Sequence, residues 1–404
     1  MPISSNINKL ENDLSIFAVQ QLKENIIPFW LKNSIDYNNG GFYGRIDEDN
    51  RADENSDKGL ILNARILWTF SAVSRILNHP EYTNIAERAY DYILKYFYDS
   101  SNKGFYWKLD YKGNLKDTKK QIYALAFVIY ALSEYYQLSG NKDCLKKAIE
   151  TFEIIEQHSF DNKLNGYLEA FSKDWKLIED LRLSDKDMNE KKTMNTHLHI
   201  LEAYTNLYRV YKNDQLREKI KNLLNVFSKY IINKSDYHYE LFFDEYWNVK
   251  SDKISYGHDI EGSWLMLEAA YVIGDKDLIV KYKEIAVAMA NACLPGINPS
   301  GALSHDVERG KSVFSKDVEW WVEAEAVVGF YNAYQVSGKT DFLLSANKIT
   351  TFITDYVVDH KKGEWNNLVS ITGELVRGHD KAGFWKCPYH NARMCLELMS
   401  RTSK

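Results

Sequence analysis

The sequence predicts an all-α protein, an (α/α)6 barrel with short β-hairpins gathered at one end. Three observations lead there. A short aromatic motif of strand, turn and strand returns six times. Pairs of helical segments lie between its copies. Within each pair, the segment after the motif is apolar nearly all round and the next is amphipathic.

The motif appears as GGFYGRIDEDNRADE from Gly40, GFYWKLDYKGNLKD from Gly104 and GYLEAFSKDWKLIED from Gly166. It continues as YHYELFFDEYWNVKSD from Tyr237, GALSHDVERGKSVFSKD from Gly301 and GEWNNLVSITGELV from Gly363. Gly41, Gly104 and Gly166 are 63 and 62 residues apart, and Gly301 and Gly363 are again 62 apart. A fixed period of this size marks a repeat architecture. The alternating residues and the KGN, KDW and TGE turns suit hairpins.

In chain order, helices are expected at 6–31, 58–77, 81–98, 118–138, 142–158, 195–211, 214–232, 258–273, 276–293, 317–335, 339–358 and 387–399. LILNARILWTFSAV, QIYALAFVIYALSEYY, SWLMLEAAYVIG and WWVEAEAVVGFYNAY have no polar face, so they are buried on every side. NIAERAYDYILKYFY has one, so it faces water. Strict alternation of six buried and six half-exposed helices implies two concentric rings, and burial all round favours closure over an open solenoid. Residues 1–404 then form one barrel domain, because only six prolines occur and no linker divides the chain.

Composition narrows the function. The chain is 45% hydrophobic and 26% charged, with a net charge of −5 and both signs interspersed. No basic stripe points to nucleic acid or a membrane surface. The longest apolar runs read as too short to span a bilayer, and MPISSNINKLENDLSIF lacks a signal-peptide pattern. Four cysteines without CxxC spacing are expected as free thiols in a reduced compartment, hence a cytoplasmic protein. The 10 Trp, 28 Tyr and 18 Phe exceed the usual share. A large core takes aromatics, and so does a sugar cleft, where flat rings match a pyranose face.

Closure places all six inner-helix starts at one end of the barrel. Five of them carry ionisable groups in an otherwise apolar helix: Arg65; His197 and His199 with Asn195; His258 and Glu261; Glu323 and Glu325 with Trp320 and Trp321; and His390 with Trp385 and Tyr389. The sixth carries Tyr123. Buried unpaired charge is costly, so these groups are paired or face a shared polar cavity. Asn195, His199 and Glu202 share one helix face, whereas His197 points away and reads as structural. His258 with Glu261 are i, i+3 neighbours, and Trp321 with Glu325 are i, i+4. Taken singly, each has a plainer reading as a helix-start pair, a structural tie or a core residue.

Other chemistries lack their motifs. HExxH, GxSxG, GxxxxGK[ST] and a strand-led GxGxxG do not occur, so no metal and no cofactor is expected. Cys387, three residues before His390, reads as packed inward rather than nucleophilic. Two imidazoles across a cavity can remove a proton from one face of a carbon and return it to the other. An arginine between them can stabilise an enediolate. That describes epimerisation or isomerisation beside a carbonyl.

KGLILNARILWTFSA, MNTHLHILEAYTNLY, SYGHDIEGSWLMLEAA, EWWVEAEAVVGFYNAY and FWKCPYHNARMCLE together resemble the cellobiose 2-epimerases, a group within the N-acylglucosamine 2-epimerase superfamily of (α/α)6 barrels. The likeness runs along essentially the whole chain, and WKCPYHN is its most specific piece. It implies epimerisation at carbon 2 of the reducing-end glucose of β-1,4-linked disaccharides such as cellobiose and lactose. By the same resemblance His390 and His258 are the two acid/bases, and Arg65 holds the enediolate. His199 assists ring opening, and Glu261 orients His258. Tyr123, Asn195 and Asp187 hydrogen-bond the sugar. Trp321 and Trp385 stack on its rings, with Glu325 also at the substrate. Ala392 stands where members often carry Gly. The expected partner is an oligosaccharide, with neither nucleic acid nor membrane, on a monomer or weak homodimer. A monosaccharide or N-acylglucosamine 2-epimerase, an aldose–ketose isomerase, a glycoside hydrolase and a non-catalytic sugar-binding protein stay open as alternatives.

Overall fold

The computed structural model describes residues 3–311 and 315–403. Residues 312–314, within the fifth hairpin motif, and the extreme termini of the expected 1–404 domain lie outside them. Helix α1 (Ile3–Gln20) runs through a π-helical turn into α2 (Ile27–Asn33). There follow α3 (Leu60–Leu77), α4 (Pro80–Tyr92), α5 (Ile122–Ser139), α6 (Lys142–His158), α7 (Met194–Val210) and α8 (Asp214–Val226). The chain ends with α9 (Tyr256–Ile273), α10 (Lys276–Cys293), α11 (Trp320–Ser337), α12 (Thr340–Phe352) and α13 (Tyr389–Thr402).

Each odd-numbered helix from α3 to α13 packs on the next, and α13 packs back on α3. This closes the inner ring. Outside it, α4, α6, α8, α10 and α12 cover the staves, and α1 fills the sixth outer place against α12 and α13. The two-ring barrel is therefore the observed fold. Sequence explains the ends. Asn141, Asn213 and Asp275 cap the outer helices α6, α8 and α10 through their side chains, satisfying N–H groups that a helix start leaves free. Gly140, Gly274 and Gly338 end α5, α9 and α11 in the left-handed region, and Asn78 does so for α3.

The hairpins differ from expectation in one respect. Residues 58–59, 120–121 and 317–319, expected as helix starts, are short strands. Each pairs with the hairpin of the following repeat: Lys58 opposite Leu109, Lys120 opposite Phe171, Val318 opposite Val369. Ile46 of the first hairpin bridges Ala382, just before the last inner helix, so the hairpins close a ring of their own. In the first two of these segments a buried lysine accounts for the extended backbone, and Lys192 and Lys381 occupy the equivalent place in other repeats. Lys58, Lys120, Lys192 and Lys381 reach Asp36, Asp99, Asp161 and Asp359 at 2.7, 2.9, 2.9 and 2.6 Å. Removing either partner strands a buried charge, a loss of about 3–5 kcal/mol.

Helix α3 corrects another reading. At 18 residues it is long and apolar enough to cross a membrane by length and composition, yet 83% of it is buried as a barrel stave. All four cysteines are free and buried, as expected.

Candidate active site

The inner-helix starts converge as closure requires. Arg65 Nη2 donates to Tyr123 Oη at 2.8 Å, and Nη1 approaches the Trp385 carbonyl at 3.4 Å and Cys387 Sγ at 3.7 Å. The guanidinium lies over Phe127, 4.2 Å from its centroid. Tyr123 stands edge-on to His199 at 4.9 Å. Cys387 thus packs inward against Arg65. His197 faces the other way: its Nε2 accepts the Tyr167 N–H and its Nδ1 meets the Thr193 carbonyl, so it ties hairpin to helix, as its position on α7 suggested.

Two imidazoles share one indole. The ring of Trp321 lies 4.9 Å from His258 and 5.5 Å from His390, centroid to centroid. Trp321 Nε1 donates to Glu319 Oε2 at 2.7 Å, and the other Glu319 oxygen meets His305 Nδ1 at 3.1 Å. His305 also stands against Trp321 at 5.2 Å. Burial opposes the charge on Glu319, but its bonds to His305 and Trp321 bring its pKa down to about 2. The indole is therefore held by a fixed anion.

Beneath His390, Arg393 of α13 binds three carboxylates from three other staves. Its Nη2 donates to Glu261 Oε1 and Glu325 Oε1, each at 2.6 Å, and its Nη1 to Glu202 and Tyr389 Oη. Glu202 Oε2 also takes His199 Nδ1 at 2.9 Å, and Glu325 Oε1 takes His390 Nδ1 at 2.7 Å. One guanidinium thus fixes the groups that orient two histidines. Burial works against Glu202, yet Arg393 and His199 hold its pKa at about 2. Burial first, and Glu325 next, push Glu261 up to about 7.

The expected partner of His258 differs. Glu261 is drawn to Arg393 and lies 3.9 Å from His390 Nδ1. His258 Nδ1 instead meets Ser255 Oγ at 2.7 Å. The reason is tertiary: a full positive charge from α13 outcompetes a neighbour one turn away on α9. Glu325, expected at the substrate, is engaged by His390, Arg393 and Trp264 Nε1, so it positions an imidazole.

Burial lowers the pKa of His258 to about 3, with His305 and His199 adding to it. Burial, then Arg65 and Arg393, take His390 well below its ordinary value. Both imidazoles are neutral bases near pH 7. With Nδ1 donating to Glu325, His390 offers its Nε2 lone pair. Ser255 can donate or accept, so His258 can hold either tautomer.

The mouth beside His258 is a pocket lined also by Asn195, Asp187 and Thr193. Asn195 Oδ1 is buried and has no partner among the described residues. Asp187 is anchored by the N–H and hydroxyl of Ser184. Trp385 is 37% exposed at the rim and lies 5.9 Å from Tyr123 and 6.0 Å from Trp107. Of the eleven candidate residues, Asp187, Asn195 and His258 line this pocket; Tyr123 groups with Arg65, His199 and Trp385, Trp321 with His258 and His390, and Glu261 and Glu325 bind Arg393 beneath.

The FWKCPYHNAR segment divides in two. Lys386 and Asn391 both donate to Glu364 Oε1, at 2.8 and 2.6 Å, and pin the helix start. Trp385, Tyr389, His390 and Arg393 turn to the site. Ser255, His305, Glu319 and Trp107 also belong to it, and no role for Glu202 or Arg393 was read from sequence. His305 lies inside the fifth motif and Glu319 just after it, where an isolated SHD or EWW carries no signal of its own.

A metal ion has one plausible seat among the described residues: Glu261, Glu325 and His390 place ligand atoms within 4.8 Å of one another. Arg393 already binds both carboxylates there, so an arriving cation would compete with the guanidinium. What the residues supply unaided is two bases, a cation and stacking surfaces.

Residues 41–393 match the family model described as N-acylglucosamine 2-epimerase. The chain belongs to this family. A cellobiose 2-epimerase of Bacteroides fragilis is 47% identical over 380 residues, covering 94% of this chain and 97% of the relative. One from Ruminococcus albus is 40% identical over 383 residues, covering 95% and 97%. The solved cellobiose 2-epimerase of Bacillus thermoamylovorans superposes with a TM-score of 0.92 at 39% identity, covering 96% of this chain and all of that one. Membership in the N-acylglucosamine 2-epimerase family makes this chain an enzyme of the epimerase and isomerase class, and gives the barrel and its polar mouth a common origin.

Proposed function

We propose that the protein epimerises carbon 2 of the reducing-end glucose in β-1,4-linked disaccharides such as cellobiose and lactose, giving a terminal mannose. The observation that carries this reading is the pairing of His258 and His390 on Trp321, each with Nδ1 engaged and Nε2 without a protein partner among the described residues. A neutral imidazole on either side of one reacting carbon is what a two-base inversion needs. The relatives named cellobiose 2-epimerase support the choice of substrate class.

The steps follow from chemistry. A hemiacetal does not acidify carbon 2, so the pyranose opens first, with His199 moving a proton between ring oxygen and hydroxyl. His390 Nε2 then removes the carbon 2 proton, and the electron pair moves into a cis-enediolate beside Arg65 and Tyr123. Glu325, fixed by Arg393, stabilises the imidazolium that forms. Rotation about the bond between carbons 2 and 3 presents the other face, and protonated His258 returns a proton there. An anionic intermediate between them favours protonated His258 in the occupied site, offsetting the desolvation that keeps it neutral when free. The reverse reaction exchanges the two roles. Protonation at carbon 1 instead would give the ketose. Trp385 and Trp321 provide stacking surfaces for the two sugar rings.

Incubation in heavy water with cellobiose, lactose, glucose, mannose and N-acetylglucosamine, followed by NMR, tests the reading. The expected result is deuterium at carbon 2 and epimer formation with the two disaccharides. Equal or faster turnover of free glucose or mannose would replace it with monosaccharide chemistry, and release of glucose from cellobiose with hydrolysis.

A further inference from the structure

The opposite end of the barrel holds a second cavity, of about 1210 Å³, among the C-terminal ends of the inner helices. Its volume exceeds that of a common small-molecule pocket. Arg393 and Trp68 line it from the floor, so the cluster beneath His390 separates two chambers. Three buried donors in this lining have no acceptor among the described residues: Trp68 Nε1, Arg393 Nε and Asn332 Nδ2.

The chemistry of the wall specifies its occupant. Its arginines are already paired: Arg75 with Glu134 at 2.7 Å, Arg209 with Glu268 at 2.5 Å and Arg401 with Glu397 at 2.8 Å, while Lys283, exposed at the rim, lies over the Tyr271 ring. Arg393 faces its three carboxylates. An anion finds no unopposed charge in the depth of the cavity, where each arginine already faces a carboxylate. An apolar ligand would leave the donors of Trp68, Arg393 and Asn332 without a partner. Trp68 stacks on the half-buried Tyr130 at 5.2 Å, 9° from parallel, giving an aromatic surface in a wall that mixes amides and paired ions with apolar side chains such as Ile76, Val336 and Leu396. A neutral molecule with hydroxyls around its edge and an apolar face meets all of these conditions.

We propose that this cavity is a second, non-catalytic site for a neutral saccharide, entered from the end opposite the catalytic mouth. Its occupant contacts the guanidinium that orients the catalytic carboxylates, so binding there and at the mouth are coupled through Arg393.

The test is calorimetric titration with methyl β-cellobioside, whose blocked anomeric carbon prevents ring opening. Gln335 is exposed at the rim, so Gln335→Trp narrows the entrance without touching the core, and Asn332→Leu removes a deep donor. Two molecules should bind the wild type, and one should bind either variant, with epimerase activity still measurable. Trp321→Ala should lose the other binding event and retain this one, which separates the far cavity from the reading of the catalytic mouth. A stoichiometry of one in the wild type that Trp321→Ala abolishes, or of two kept by both cavity variants, overturns the proposal.

Discussion

Glu325 Oε1 stands 2.7 Å from His390 Nδ1 and receives Arg393 Nη2 at 2.6 Å. One carboxylate oxygen thus ties His390, the proposed acid/base, to the charge hub of the barrel. The tautomer of His390, and with it the free Nε2, depends on this bond. Glu325→Gln keeps the shape but weakens the acceptor. It should lower kcat by roughly 10²-fold with KM little changed, since the imidazolium forms only along the reaction path. Steady-state kinetics on cellobiose check this, and a loss confined to KM would place Glu325 at the substrate instead.

Arg393 answers to three buried carboxylates, so its removal leaves Glu202, Glu261 and Glu325 facing one another. Arg393→Met should destabilise the fold by about 3–5 kcal/mol, read as a lowered midpoint in urea. Adding Glu261→Gln should recover part of that loss by removing one of the stranded charges. No recovery in the double variant would mean that the hub acts through packing rather than charge.

Both histidines are held neutral by burial, His258 down to about 3 and His390 well below its usual value. A base with a lowered pKa keeps its active form as pH falls. The acid limb of kcat/KM should therefore lie below pH 6.5, the ordinary imidazole value. Glu261 titrates near 7 and lies 3.9 Å from His390. Its ionisation makes His390 more basic, so Glu261→Gln should flatten the profile between about pH 6 and 8. A wild-type acid limb at or above pH 6.5 would contradict the buried, uncharged imidazoles.

Glu169 accepts the Thr193 N–H at 2.8 Å and the Thr196 hydroxyl, and burial raises its pKa to about 8. A folded pKa above the unfolded value means stability that is full below pH 4.5 and lost as pH rises through about 8. Glu169→Gln cannot ionise. Its stability relative to wild type should rise between about pH 4.5 and 8 and level off above, by chemical denaturation at each pH, and a constant difference would show Glu169 already charged in the fold.

Much of this was legible because the period of the motif and the alternation of apolar and amphipathic helices are one-dimensional signals. His258, His390 and Arg65 announced themselves as polar intrusions in apolar helices. The pairing of these groups was not legible. Helical spacing suggested Glu261 for His258, but ring closure brings Arg393 across 132 positions to take that carboxylate, and Ser255 fills its place. Glu325 stood four residues from Trp321 and read as a substrate contact, yet the register of α11 against α13 decides that it meets His390. His305 and Glu319, 14 positions apart, meet directly at 3.1 Å. Such contacts depend on how neighbouring staves are set against each other, which no local pattern encodes.

The central claim is that His390 and His258 serve opposite faces of one carbon, and isotope exchange in single-base variants tests it most directly. In heavy water, His390→Asn should stop interconversion, yet still exchange the carbon 2 proton of the mannose-ended epimer through His258. His258→Asn should exchange only that of the glucose-ended epimer. Exchange of both epimers in either variant, or interconversion that survives the loss of one imidazole, would contradict the two-base arrangement.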